Sequence, residues 1–342
     1  MQREHGSLTA WARRFALVCI FSAGLVAIVG SGGGASLGIH DGICDVYPDS
    51  CGPLPPTVAI APARATLQVG GTLNFTAQPT GFADPTYQWQ RSANGGHTYV
   101  DIVGATAESY TLTGANLGDD AVVFHVIVRP RGSSGPVAEA SSRIAVSSTP
   151  GVIFQDGDFQ PSGWQVSEIS RPPANGATHT EERAASGGNP DVFRRMTHTF
   201  PATQQSLGVM NLSASAVYDP AVWGAIRAID YTEDCAVLSA GNPNFLVFPA
   251  LLIEQGGRRY RPNLLVSDTC ASATWTPQRE AASLASTDFD LLDGPACSTG
   301  QVCPDFSASA LPIRFGFVRF AQANTTATVH GIDNWKVTVW RR

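Results

Sequence analysis

The closing stretch His330 to Trp340, HGIDNWKVTVW, constrains the fold of this chain more than any other. Trp335, Val337 and Val339 alternate with Asn334, Lys336 and Thr338, and only a strand with one buried and one wet face satisfies that period of two. A counterpart lies at Gly151 to Gln165, GVIFQDGDFQPSGWQ, directly after the linker-like Ser147 to Pro150. The two stretches frame one domain, 151–342. Its Trp164 and Trp335 need a shared interior, so Phe154 to Phe159 is expected beside Ile332 to Val337. With 15% charged residues, 34 Gly and 23 Pro, the chain favours strands joined by tight turns, and the predicted fold class is all-β. A net charge of -6 supplies no basic field for a phosphate backbone, which excludes nucleic acid as a partner.

Ahead of the strands, a polar segment ending in Arg13-Arg14 meets the uncharged run Phe15 to Gly30 and then a Gly-rich stretch. That order predicts a secretory signal over 1–34 followed by a spacer over 35–53, and the run is short for a bilayer span. Contact with a membrane is expected only if the leader is retained. The location read from this is secreted, periplasmic or cell surface. Setting aside Cys19 in the leader leaves Cys44, Cys51, Cys235, Cys270, Cys297 and Cys303, an even set in an exported chain. Proximity across short loops pairs Cys44 with Cys51 and Cys297 with Cys303, leaving Cys235 for Cys270. The spacings do not match a zinc site.

Between residues 54 and 148, short strands are predicted at Val58–Ile60, Thr72–Ala77, Tyr87–Arg91, Ser109–Leu112, Val122–Val128 and Arg143–Val146, separated by turn signals such as Asn94-Gly95-Gly96. LNFTA, YQWQR and DDAVVFHV carry Phe75, Trp89, Phe124 and Val126 in an order that resembles a bacterial immunoglobulin-like domain. The resemblance implies a sandwich packed on Trp89. Phe75 and Val126 stand at the family's cystine positions and Phe124 at its corner tyrosine, so apolar packing must replace the disulfide. Such domains act as spacers or adhesive modules. The linker implies that this domain melts separately from the next.

In the second domain, strands are predicted at Val152–Phe154, Met196–Phe200, Leu207–Val217, Gly224–Tyr231, Phe245–Glu254, Arg259–Val266, Ile313–Phe320 and Thr326–Val339, with a hairpin turn at Glu254 to Gly257. Its opening DGDF…GW and closing GIDNWKVTV resemble the terminal strands of galactose-binding-like jelly rolls, the sandwich of many carbohydrate-binding modules. That resemblance implies a larger jelly-roll-like β-sandwich after the immunoglobulin-like one.

Several residues are candidates for chemistry. Asp156 and Asp158 near one terminal strand and Asp333 in the other are hard oxygen ligands that can hold a structural calcium ion, or can cap turns instead. No other cofactor is implied. Trp223, Tyr231, Tyr260 and Trp275, with Tyr218, fall beside loop-like segments, where flat rings can stack on sugars or close strand ends. Gly257 to Arg261 offers three arginines to an anion or to solvent. Gly34 to Gly38 fits a nucleophile elbow but lacks the flanking strand and helix. No histidine spacing or Ser/His/Asp set nominates an active site. The reading is a non-catalytic binding module, with a glycan or a surface protein as partner, and a structural or adhesive surface protein as its alternative.

Overall fold

The computed structural model describes residues 55–342 except 133–136, 172–175, 202–204, 239–245, 264–269, 271–273, 293, 295, 298–301 and 324–326. The signal, the spacer and the Cys44–Cys51 pairing lie outside the described residues. The described residues are all-β, with 63% of them in strands and 5% in helices. Among the described residues no helix is long and apolar enough to cross a membrane.

The first sandwich contains β1 (Thr57–Ala61), β2 (Arg64–Gln68), β3 (Leu73–Thr80), β4 (Pro85–Ser92), β5 (Val100–Asp101), β6 (Ser109–Leu112), β7 (Val123–Pro130) and β8 (Ala138–Ser147). One sheet has the order β1-β3-β6 and the other β2-β8-β7-β4-β5. The odd positions of β3 point inward as the alternation requires, as do Tyr87 and Trp89 of β4, and Trp89 lies fully buried opposite Val126 in the β4–β7 ladder. The Phe75 ring sits 6.1 Å from Trp89 and 4.7 Å from Phe124. Phe75, Trp89, Phe124 and Val126 thus belong to one hydrocarbon core. The Trp89 indole N–H is satisfied by the carbonyl of Ala107 at 2.9 Å.

The second sandwich contains β9 (Val152–Asp156), β10 (Trp164–Arg171), β11 (Thr178–Gly188), β12 (Asp191–Thr199), β13 (Gln205–Tyr218), β14 (Ile226–Val237), β15 (Leu246–Gln255), β16 (Arg258–Pro262), β17 (Thr276–Leu284), β18 (Phe289–Leu291), β19 (Ile313–Ala323) and β20 (Thr328–Arg341). A short helix, α1 (Pro220–Trp223), separates β13 from β14. Its sheets run β10-β13-β19-β15-β16-β18 and β11-β12-β20-β14-β17, with β9 also on β20. The terminal strands do meet: Phe154 faces Val337 and Asp156 faces Trp335 across an antiparallel ladder. Trp164 meets Trp335 edge-on at 5.1 Å. The β15–β16 turn places Gly256 and Gly257 at φ 58° and 76°, the left-handed pair that a tight hairpin takes from glycine. Cys235 bridges Cys270, and Cys297 bridges Cys303. Both cystines fit an extracellular or surface protein.

Residues Thr57–Arg342 form one compact unit, and the linker is backed by bonds between the sandwiches. Arg64 binds Asp288 at 2.7 Å, and Arg227 Nε reaches both oxygens of Asp120 at 2.6 and 2.7 Å. Thr66 Oγ1 donates to Asp230 at 2.8 Å, and Ser147 Oγ to the carbonyl of Arg341 at 2.8 Å. Asp120 also accepts from the Val146 amide at 2.9 Å, so the acidic corner of the first sandwich is the socket for an arginine of the second.

Candidate functional site

The three aspartates do not converge. Asp156 Oδ1 accepts the amides of Asp158 and Phe159, both at 2.8 Å, and Oδ2 accepts the Trp164 indole N–H at 2.8 Å. This carboxylate shapes the turn that carries Phe159 through φ 49° and seats the tryptophan. Asp158 binds Arg183 and Gln160; the Arg183 hydrogen bond, more than any other factor, holds its pKa below the ordinary value. Asp333 accepts the amides of Asn189 at 2.6 Å and Asn334 at 2.7 Å. Burial raises its pKa, and the charge of Asp234 adds to the rise. The carboxylate facing Asp333 is therefore Asp234, its register partner on β14. Asn189 and Asn334 side-chain amides donate to Asp234 at 3.0 and 2.7 Å. Calcium does not fit Asp156, Asp158 and Asp333 as arranged, because their oxygens are turned onto N–H donors. Among the described residues no group of three or more His, Cys, Asp or Glu is placed to hold a metal ion.

The aromatic residues divide. The expectation of loop-borne rings is corrected for Tyr231 and Tyr260, which are 4% and 2% exposed at inward positions of β14 and β16. Both stand near the ends of predicted strands, whereas the strands observed run on past them and their alternation turns both rings into the core. Tyr218 is likewise buried, its hydroxyl donating to the carbonyl of Gly224 at 2.9 Å. Trp275 packs edge-on against Phe193 at 5.2 Å, and its N–H donates to the carbonyl of Gly187 at 2.8 Å. It closes over Gly331, where a Cβ would lie 2.6 Å from the indole. Trp223 alone of the four keeps a large open surface, at 38%, beside Val222 at 71%. α1 presents it, with Asp219 capping the Ala221 amide and Gly224 ending the turn at φ 97°. The ring leans edge-on against Tyr218 at 5.1 Å. The arginine run forms no open clasp: Arg259 binds Glu254 at 3.1 Å and Arg261 lies over the Phe320 ring at 5.9 Å.

Polar residues that the sequence reading passed over collect between the sheets of the second sandwich. Glu233 and Arg319 form a fully buried ion pair at 2.9 Å, and the Tyr231 hydroxyl donates to the same carboxylate oxygen. His198 and His330 stack at 5.0 Å and share a hydrogen bond of 3.1 Å between Nδ1 and Nε2. Burial, then the neighbouring His179 and Arg319, lowers His198 to about 3; burial, then His198 and Arg319, drives His330 well below the ordinary range. Burial and Glu233 push the Tyr231 phenol well above its ordinary value. A second buried pair, Glu181 with Arg194, is completed by Asn211 at 2.9 Å, and the Arg194 guanidinium sits 5.9 Å over Trp164. These groups can store and hold protons, but no activated nucleophile stands among them. The signal that could have found them is a charged residue in the buried phase of an alternating strand, such as Arg319 between Phe317 and Ala321.

No family model and no curated protein matches the chain. Among solved structures, the N-terminal four Ig domains of Dscam1 isoform 4.44 are similar at 22% identity and a TM-score of 0.23, covering 27% of this chain and 21% of that one. A match of that extent bears on neither the site nor the function.

Proposed function

We propose that the chain is an exported, non-catalytic surface protein whose two sandwiches work as one stiff adhesive or spacer unit. The observation that carries this reading is the set of bonds between the sandwiches, above all Arg227 on both oxygens of Asp120. A hinged pair of modules has no use for an arginine fork seated in its neighbour's corner. The two cystines support export, and the net charge of -6 keeps nucleic acid off the surface. Small-angle scattering tests it: one rigid shape is expected for the native chain and a broader distribution of shapes for Asp120→Ala. Equal breadth in both would reject the stiff unit.

A glycan-binding second sandwich, of the galactose-binding-like kind, is the other reading. It is favoured by the open Trp223 ring on a short, capped helix, a geometry suited to stacking on a sugar face. A glycan array probed with native chain and Trp223→Ala separates the two. Binding that the substitution abolishes selects the glycan reading; silence from both leaves the surface-protein reading, with another protein as the partner.

A further inference from the structure

Three of the seven histidines of this chain line up across adjacent strands of one sheet. His179 on β11 is the register partner of His198 on β12, and His198 bonds to His330 on β20. At the outer end, His179 reaches across to Glu168 on β10, an edge strand of the opposite sheet. At the inner end the pair faces Arg319 on β19, which is bound to Glu233 on β14 together with Tyr231. Farther along β11 and β12, Glu181 is held by Arg194 and by Asn211 of β13. Each neighbouring carboxylate therefore already has a bonded partner: Glu168 has His179, Glu181 has Arg194, and Glu233 has Arg319.

We propose that the His179–His198–His330 row makes the second sandwich an acid-opened structure, in which proton uptake by the two inner rings drives apart the strands that carry them. The shared hydrogen bond needs one N–H and one lone pair. Protonating both rings sets N–H against N–H and removes that bond. It also places two cations beside a guanidinium in a space closed to solvent, where the described carboxylate nearest Arg319, Glu233, is already paired with that arginine. The sign follows from the depressed values. Above the ordinary histidine pKa of 6.5 both folded and unfolded chains hold these rings neutral, and the row costs nothing. Between 6.5 and about 3 the unfolded chain binds the protons that the folded one refuses, so stability falls as pH falls. Two protons steepen the rise of the unfolding constant by about 100-fold per pH unit.

The test is urea unfolding of the full chain at pH values from 7.5 to 4, comparing native protein with His198→Gln/His330→Gln. The native chain is expected to lose stability with a slope about two protons steeper than the double variant. Equal slopes overturn the proposal. Should the variant fail to fold, histidine ring NMR of the native chain decides. Two rings that stay neutral until the sandwich opens support it, whereas all rings titrating near 6.5 in a folded chain overturn it.

Discussion

The two sandwiches solve the problem of a filled interior in different ways. The first encloses hydrocarbon around Trp89, Phe75, Phe124 and Val126. The second threads Glu233, Arg319, His198, His330, Glu181 and Arg194 through a core otherwise built from rings and branched chains. An apolar core loses stability by the volume removed, whereas a charged one loses it by whichever group is left without a partner. Buried polar atoms of Glu233, Arg319, His198 and His330 that find no hydrogen-bond partner among the described residues raise those stakes further.

The largest effect is expected from Trp89→Ala. Truncating this fully buried ring should cost ~5 kcal/mol, the top of the range for large aromatics, since no cystine backs it. Calorimetry should show the first sandwich unfolding early. The bonds at Asp120 and Arg64 are expected to pull the second transition down with it, in contrast to the separate melting that the linker alone implies. A second transition that does not move would mean the interface transmits nothing.

Arg319→Leu comes next, at ~4 kcal/mol, because it strands the Glu233 carboxylate in the core. Adding Glu233→Gln should recover much of that loss, the mark of a charge effect and not a volume effect. If chemical denaturation shows no recovery, the contrast between the two cores is wrong. Asp120→Ala should cost about 1–2 kcal/mol, since the pair is only partly shielded and the Val146 amide loses its acceptor as well. Trp223→Ala is expected to leave the melting temperature within a degree or two, because much of its ring is open. A large drop would turn that residue from a surface ring into a core one.

The strands that pattern reading misses share a position, although the edge strands β1 and β6 are found. β3, β4, β7, β13, β15, β19 and β20 lie inside sheets or across the core, and their alternation shows in the sequence. β2, β5, β10, β11, β17 and β18 have no predicted counterpart, and each lies at the edge of its sheet. β11 reads THTEERAASGG and β5 is two residues long. Edge strands carry charge and brevity to discourage pairing with other chains, which erases the pattern by which strands are recognised.

Residue order by itself determined what depends on local rules: the all-β class, the glycine hairpin of β15 and β16, the inward set of β20, and the burial of Phe75, Trp89 and Val126. The meeting of β9 with β20 followed from the need of two tryptophans for one interior. Only the tertiary structure decided which carboxylate faces Asp333, which aromatics reach solvent, and that His179, His198 and His330 form one row. Those outcomes depend on strand order and register, set by burial summed over whole sheets. Asp234 stands 99 residues from Asp333 in the chain, and a bulge in β14 beside it helps to set them face to face.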